Sequence, residues 1–302
     1  MAEPRPAGRG WVPWRPRAVS PSLLVGGALT GGFVLLALLG AALAPGDPFA
    51  AAGVPFAPPG PAHPFGTDDL GRDLLRAVVQ GARVSLIVGA TVAVASLAFG
   101  LLVGGVAGYV GGTVDDLLMR FTELVLVLPR FFLALVVVAL FGADIIHLIA
   151  VLALTSWGII ARVARAGVLA AREQEYVLAA RALGGAGPRV LLRHVLPNVL
   201  APVVAYAALQ VGNAVLLEAS LSFLGFGDPN LVSWGYLLNN AQAFVRRAWW
   251  LSLFPGAAIV LAVVGVNLLA DGLRGWHPGN GRGPAGRRGP TPQRSGVTQR
   301  TS

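Results

Sequence analysis

The stretch VSLIVGATVAVASLAFGLLVGGVAGYV, residues 84–110, decides the fold. No Asp, Glu or Arg occurs between Arg83 and Asp115. A helix crosses the hydrocarbon of a bilayer with about 20 apolar residues, and this run is long enough. Working outward, the charges leave two more clean gaps, between Arg17 and Asp47 and between Arg247 and Asp271. Three further segments are apolar with few interruptions. Residues 117–141 carry only Arg120, Glu123 and Arg130, residues 145–161 only His147, and residues 199–217 only Gln210 and Asn213 as polar amides. The spacing predicts six spans, near 22–44, 84–110, 118–141, 145–163, 200–223 and 249–270. Barrel-type alternation of apolar and polar residues is absent, so the spans are helices and the chain is an all-α membrane protein.

Composition agrees. Of 302 residues, 55% are hydrophobic and 12% charged, against about 25% charged in soluble domains. Mean hydropathy is +0.69. All 23 basic residues are arginine, and net charge is +9. The absence of lysine excludes a P-loop and Schiff-base catalysis. The absence of cysteine excludes thiol nucleophiles and Cys-ligated metals. Ala42-Leu43-Ala44 has the look of a signal-peptide cleavage site, but the apolar run before it is too long for an h-region. The first span is therefore expected to be an uncleaved anchor.

Arginine asymmetry sets the expected orientation. With a cytoplasmic N-terminus, 17 arginines fall inside and 5 outside, with Arg130 inside a span. Both termini are then cytoplasmic. The expected organisation is a cytoplasmic tail (1–21), a first helix with an external segment (22–83), a five-helix core (84–274) and a disordered basic tail (275–302). The tail has no aromatics among its arginines, so lipid contact is expected and nucleic-acid binding is not. Thr67 or Asp68 is expected to cap a short external helix. Trp234, Trp249 and Trp250 suit an interfacial aromatic belt.

The segment between spans four and five, residues 172–198, is too polar to span. Helix formers run through Leu183, Gly184-Gly185 supply a stop, Pro188 suits the first turn of a second helix, and Pro197 ends that helix or kinks it into span five. Tyr176, Ala179, Ala180 and Leu183 fall at i, i+3, i+4, i+7 on one face. Arg172, Glu173, Glu175 and Arg181 are available at its rim. This helix–turn–helix either packs on its own protein and lipid headgroups or receives a partner.

The segment resembles the "EAA" loop of permease subunits of bacterial binding-protein-dependent ABC importers. Ala179, Ala180, Gly184, Leu196 and Pro197 match in register. Leu178 replaces the pattern's Glu, His194 takes an aliphatic position, and Glu175 lies one turn earlier. The rest of the chain is similar to the C-type subunit of dipeptide, oligopeptide and nickel importers. The matching segments are His63–Asp73, Gly81–Leu86, Gly108–Gly112, Ser222–Gly227, Ser233-Trp234-Gly235, Trp249–Gly256 and Asn267–Arg274.

The resemblance implies a type I importer permease fold and a non-catalytic subunit that moves di- or oligopeptides by alternating access. It implies three kinds of protein partner: a second homologous permease, two cytoplasmic ATPase subunits and an extracytoplasmic binding protein. ATP and Mg would belong to the ATPases, with no cofactor on this chain. The coupling residues it implies are Glu175, Tyr176, Ala179, Ala180, Arg181, Leu183, Gly184, Arg193, Leu196 and Pro197. Nickel chelates, glutathione or oligosaccharides are alternative cargoes, and a stand-alone secondary transporter is the alternative of a different class.

Polar residues inside spans are functional candidates. Arg130, following a kinking Pro129, and Gln210, Asn213 and Glu218 in span five are candidates to line a substrate pathway. An Arg130–Glu218 pair that only staples helices is the structural alternative. No cluster accompanies His147, and no metal site is expected. Gly100, Gly104, Gly108 and Gly112 form a small-residue stripe that packs within the chain or against the partner permease, the former being favoured.

Overall fold

A computed structural model describes residues 20–275; the N-terminal tail and the basic C-terminal tail lie outside them. Ten α-helices follow in order: α1 Pro21–Leu43, α2 Leu74–Val110, α3 Gly112–Val127, α4 Arg130–Phe141, α5 Ile145–Arg172, α6 Glu175–Ala182, α7 Gly187–Val190, α8 Leu196–Phe223, α9 Trp234–Ala241 and α10 Trp250–Gly275. No strands occur among the described residues. Five helical runs are long and apolar enough to cross a membrane, and α3 with α4 makes a sixth, broken span. This is the six-helix, all-α architecture expected, although several ends differ.

The second span starts ten residues earlier than read. Asp73 caps α2 by accepting the Arg76 N–H at 3.0 Å, so α2 carries Arg76, Gln80 and Arg83 outward in one continuous helix. The short helix capped by Thr67 or Asp68 does not form. Thr67 is fully buried and stitches its loop instead, accepting from Ala57 N (2.8 Å) and donating to Val54 O (2.6 Å). Span four likewise runs on to Arg172. At Leu128-Pro129 the third span bends by 73°. Proline lacks the N–H and its ring clashes with the preceding turn, which breaks the helix.

The glycine stripe packs within the chain. A Cβ on Gly104 would strike the Ala161 backbone, and one on Gly108 would lie 2.8 Å from Arg165 O. Gly100 faces Ile160 and Ala161. With no side chains between them, α2 and α5 touch backbone to backbone. Gly112 faces open space and takes no part. α1 is seated on α10 in the same way, Gly26 against Leu268-Leu269 and Gly272 against Leu23.

On the side opposite the 172–198 loop, residues 45–73 fold into a cap. His63 Nδ1 meets Asp73 Oδ2 at 2.8 Å, Phe65 stacks on Phe254, and Arg247 lies over Phe56. Asp68 accepts the Leu70 and Arg72 N–H groups. Partial burial pushes its carboxyl above the usual value despite those donors. Two of the three expected belt tryptophans are core residues. Trp234 is fully buried with its indole N–H on Val78 O (2.9 Å), and Trp250 donates to Thr67 O (3.1 Å); only Trp249 is exposed.

Candidate functional site

The loop begins where α5 ends. Glu173 and Gln174 break the helix, and α6 starts after this two-residue link. Leu183 caps its C-terminus, and Gly184 follows with φ +80°, a left-handed conformation that glycine adopts without cost. Gly185 is constrained by space: a Cβ there would meet Ala180 O at 2.7 Å. Pro188 lies in the first turn of α7. Leu191–Val195 is a π-helical turn that carries the backbone into α8 without a break. Pro197 therefore neither ends the second helix nor separates it from span five; the loop's second arm and span five are one rod, Gly187–Phe223.

α6 has one inward anchor. Val177 is fully buried in a cluster with Ile160, Ala164 and Val168 of α5, Val190, Val195 and Val199. Two arginines expected at the rim reach α2: Arg172 is partly buried, while Arg181 stays exposed. Arg172 Nη1 donates to Gly108 O at 3.0 Å, and the Arg181 guanidinium sits 4.9 Å over the Tyr109 ring. Both tie the loop to the end of α2. Glu175 and Glu173 remain exposed.

α6 leaves apolar side chains uncovered on both flanks of the Val177 anchor. Leu183 is 90% exposed, Leu178 48% and Tyr176 44%. Ala179 is exposed and Ala180 partly buried. Of the remaining loop residues singled out from sequence, Arg193 is exposed and Leu196 packs against the buried cluster. Sequence reasoning missed Val177, the hinge of the arrangement. Its position between two solvent-facing flanks on an eight-residue helix gives no periodic signal.

Beside the loop, Asp115 of α3 receives Arg165 of α5 in a two-pronged ion pair, 2.5 and 2.6 Å. A looser pair, Arg162–Glu123 at 3.5 Å, lies farther along the same two helices.

Of the four intramembrane candidates only Gln210 and Asn213 are brought together. Glu218 is buried among serines, Ser222 Oγ donating to Oε1 (2.7 Å) and Ser85 Oγ to Oε2 (3.2 Å). It does not pair with Arg130, so that staple does not form. Arg130, first residue of α4 at the break, is half-buried and makes no ion pair or hydrogen bond among the described residues. Gln210 Nε2 donates to Ser156 O (3.2 Å), fastening α8 to α5, and its Oε1 accepts from Asn213 (3.0 Å). Asn213 is exposed. No group of three or more His, Cys, Asp or Glu among the described residues is arranged to hold a metal.

Known proteins match this chain over most of its length. Residues 100–278 match the family described as binding-protein-dependent transport system inner membrane component. The dipeptide transport system permease protein DppC of Alkalihalophilus pseudofirmus is 40% identical over 217 residues, 72% of this chain and 71% of that protein. The di/tripeptide transport system permease protein DppC of Pseudomonas aeruginosa is 39% identical over 211 residues, 70% of each. A provisionally named peptide permease of Brucella suis is 43% identical over 215 residues, 70% of this chain and 71% of the relative. With the family matching more than half of the chain and these identities over more than two thirds of it, the chain belongs to the binding-protein-dependent transport system inner membrane components, as a multi-pass inner-membrane permease subunit with the type I fold.

Proposed function

We propose that this subunit belongs to an ATP-driven importer of di- and oligopeptides, with α6 as the element that takes the stroke of separate ATPase subunits. The observation that carries this is the uncovered apolar surface of α6 and its cap, Tyr176 and Leu183 on one flank and Leu178 on the other, on a polar loop beyond the membrane-spanning part. An apolar surface of that kind on a rigid, anchored helix suits insertion into a groove on a partner. The peptide cargo is supported by the relatives named for dipeptide and di/tripeptide transport.

In this reading the termini and the 172–198 loop are cytoplasmic, as the arginine distribution favours. ATP and Mg reside on the ATPases, whose closure pushes α6. Val177 passes the push to α5 and α8, and Arg172 and Arg181 pass it to α2. Because α2 and α5 are in backbone contact, they move as one body. A second permease subunit closes the other side of the pathway, and an extracytoplasmic binding protein delivers cargo. Arg130 and Asn213 are the intramembrane groups left free to meet a peptide's termini, Gln210 orienting Asn213.

Reconstitution in vesicles tests the reading. Labelled dipeptide should accumulate only when partner permease, ATPases, binding protein and ATP are all present. Accumulation by this chain without ATPase subunits would make it a secondary transporter instead.

A further inference from the structure

Glu218 lies in the last turns of the membrane-spanning helix α8, Leu196–Phe223, and is 2% exposed. A buried carboxylate is expensive unless its oxygens are satisfied, and an apolar side chain would pack α8 without that cost. Among the described residues no cation compensates it. Its partners are hydroxyls that link separate elements. Ser222 belongs to α8 itself and Ser85 to α2. Ser85 Oγ, while donating to Glu218, accepts the N–H of Trp234, the first residue of α9, at 3.4 Å.

α9 is held at this point, along the end of α8 and against α10, with the Trp234 indole also bonded to Val78 O of α2. Ser233 caps it by accepting the Tyr236 N–H (3.2 Å). Gly235 rests on Ala219, one residue after Glu218, so closely that a Cβ would come within 2.6 Å of backbone. Asn239 and Gln242 donate to Phe223 O, 2.7 and 2.8 Å. α9 in turn supports the cap, with Tyr236 edge-on to Phe49. A small void reaches Glu218 from the cap side, lined by Ser222, Ser233, Asp144 and Asp228.

We propose that Glu218 is a positioning residue for opening of the extracytoplasmic side. Its carboxylate clamps the start of α9 to α2 and α8 in the state described here. Release of the serine bonds, with water entering through the void to take their place, frees α9 and the cap to move. Glu218 thus acts through α9 rather than on the cargo.

The chain has no cysteine, so one introduced thiol reports α9 alone. Leu238→Cys on α9 packs partly buried against the core. In the assembled importer in membrane vesicles, its labelling rate by a membrane-impermeant maleimide measures release of α9. Glu218→Ala should raise that rate about tenfold, the equivalent of one lost charge-assisted hydrogen bond, and depress peptide uptake. Glu218→Gln, which still accepts from a serine, should keep both near the parent. Should Glu218→Ala fail to assemble, Ser85→Ala and Ser222→Ala carry the test, each with a smaller rise. An unchanged labelling rate in every assembled variant overturns the proposal. Because labelling is read without turnover, that failure is distinct from a failure of the peptide-import reading.

Discussion

Two single substitutions on α6 should separate its anchor from its docking face. Val177 is fully buried, and Val177→Ala removes two methyl groups from a closed cluster. At about 0.8 kcal/mol per carbon plus a cavity contribution, the loss is roughly 2–3 kcal/mol. An eight-residue helix has little stability of its own. The contacts of α6 that remain are the Arg181–Tyr109 stacking, worth about 0.5–1 kcal/mol, and the partly buried Ala180 against the same cluster. A loss of about 2 kcal/mol shifts docked against undocked α6 by roughly thirtyfold. The ATPases should still bind, because the outward surface is intact, and hydrolysis should persist while peptide uptake collapses. Leu183→Ala is the converse. Leu183 touches little in this chain, so stability should stay within about 0.5 kcal/mol, while ATPase association should weaken about tenfold as apolar contact is lost. The assays are pull-down titration, ATPase rate and vesicle uptake on the same preparations. Normal uptake by Val177→Ala, or undiminished ATPase binding by Leu183→Ala, would refute the reasoning.

Other expectations follow from the helix contacts. Gly104→Val should force α2 off the Ala161 backbone at a cost of about 3 kcal/mol or more, read as lost assembly in detergent, whereas Gly112→Ala should be mild because only its φ of +58° opposes it. Asp115→Ala should cost about 1–2 kcal/mol, discounted for the partial exposure of Arg165, and the Asp115→Arg/Arg165→Asp exchange should recover part of the lost melting temperature. Asp68→Asn keeps an oxygen for the Leu70 and Arg72 N–H groups and removes a charge that burial disfavours. Because the folded carboxyl's pKa is raised, its contribution is full below pH 3.8 and declines as pH rises through the folded value. The Asn variant should therefore unfold no earlier than the parent at pH 7 and lose that acid-side gain.

The spans were legible because missing charges mark hydrocarbon, a signal that needs no tertiary knowledge. Their ends were not. Arg76, Gln80 and Arg83 read as loop, yet α2 keeps its backbone bonds through them because a helix outside the membrane tolerates polar side chains. The same blindness hid the extension of α5 to Arg172. The stop at Gly184 and the start at Pro188 were legible as local backbone chemistry. The fusion of the second arm with span five was legible only as one of two readings of Pro197, since a π-helical turn before it carries no composition signal. Trp234 was assigned to a belt because its burial at the start of α9 depends on partners far away in sequence, Val78 and Ser85. For the same reason the serine partners of Glu218 were invisible, although Ser222 lies one turn away on the same helix.

The most direct measurement places one thiol at the centre of the proposed dock. Leu183→Cys, in a chain with no other cysteine, is tested by a short bifunctional maleimide–photoreactive reagent in vesicles holding the assembled importer, with Val54→Cys on the opposite cap as control. The account predicts a cross-link from position 183 to an ATPase subunit, changing in yield when ATP is added, and none to the ATPase from position 54. Position 183 labelling freely and linking to no ATPase subunit would contradict it.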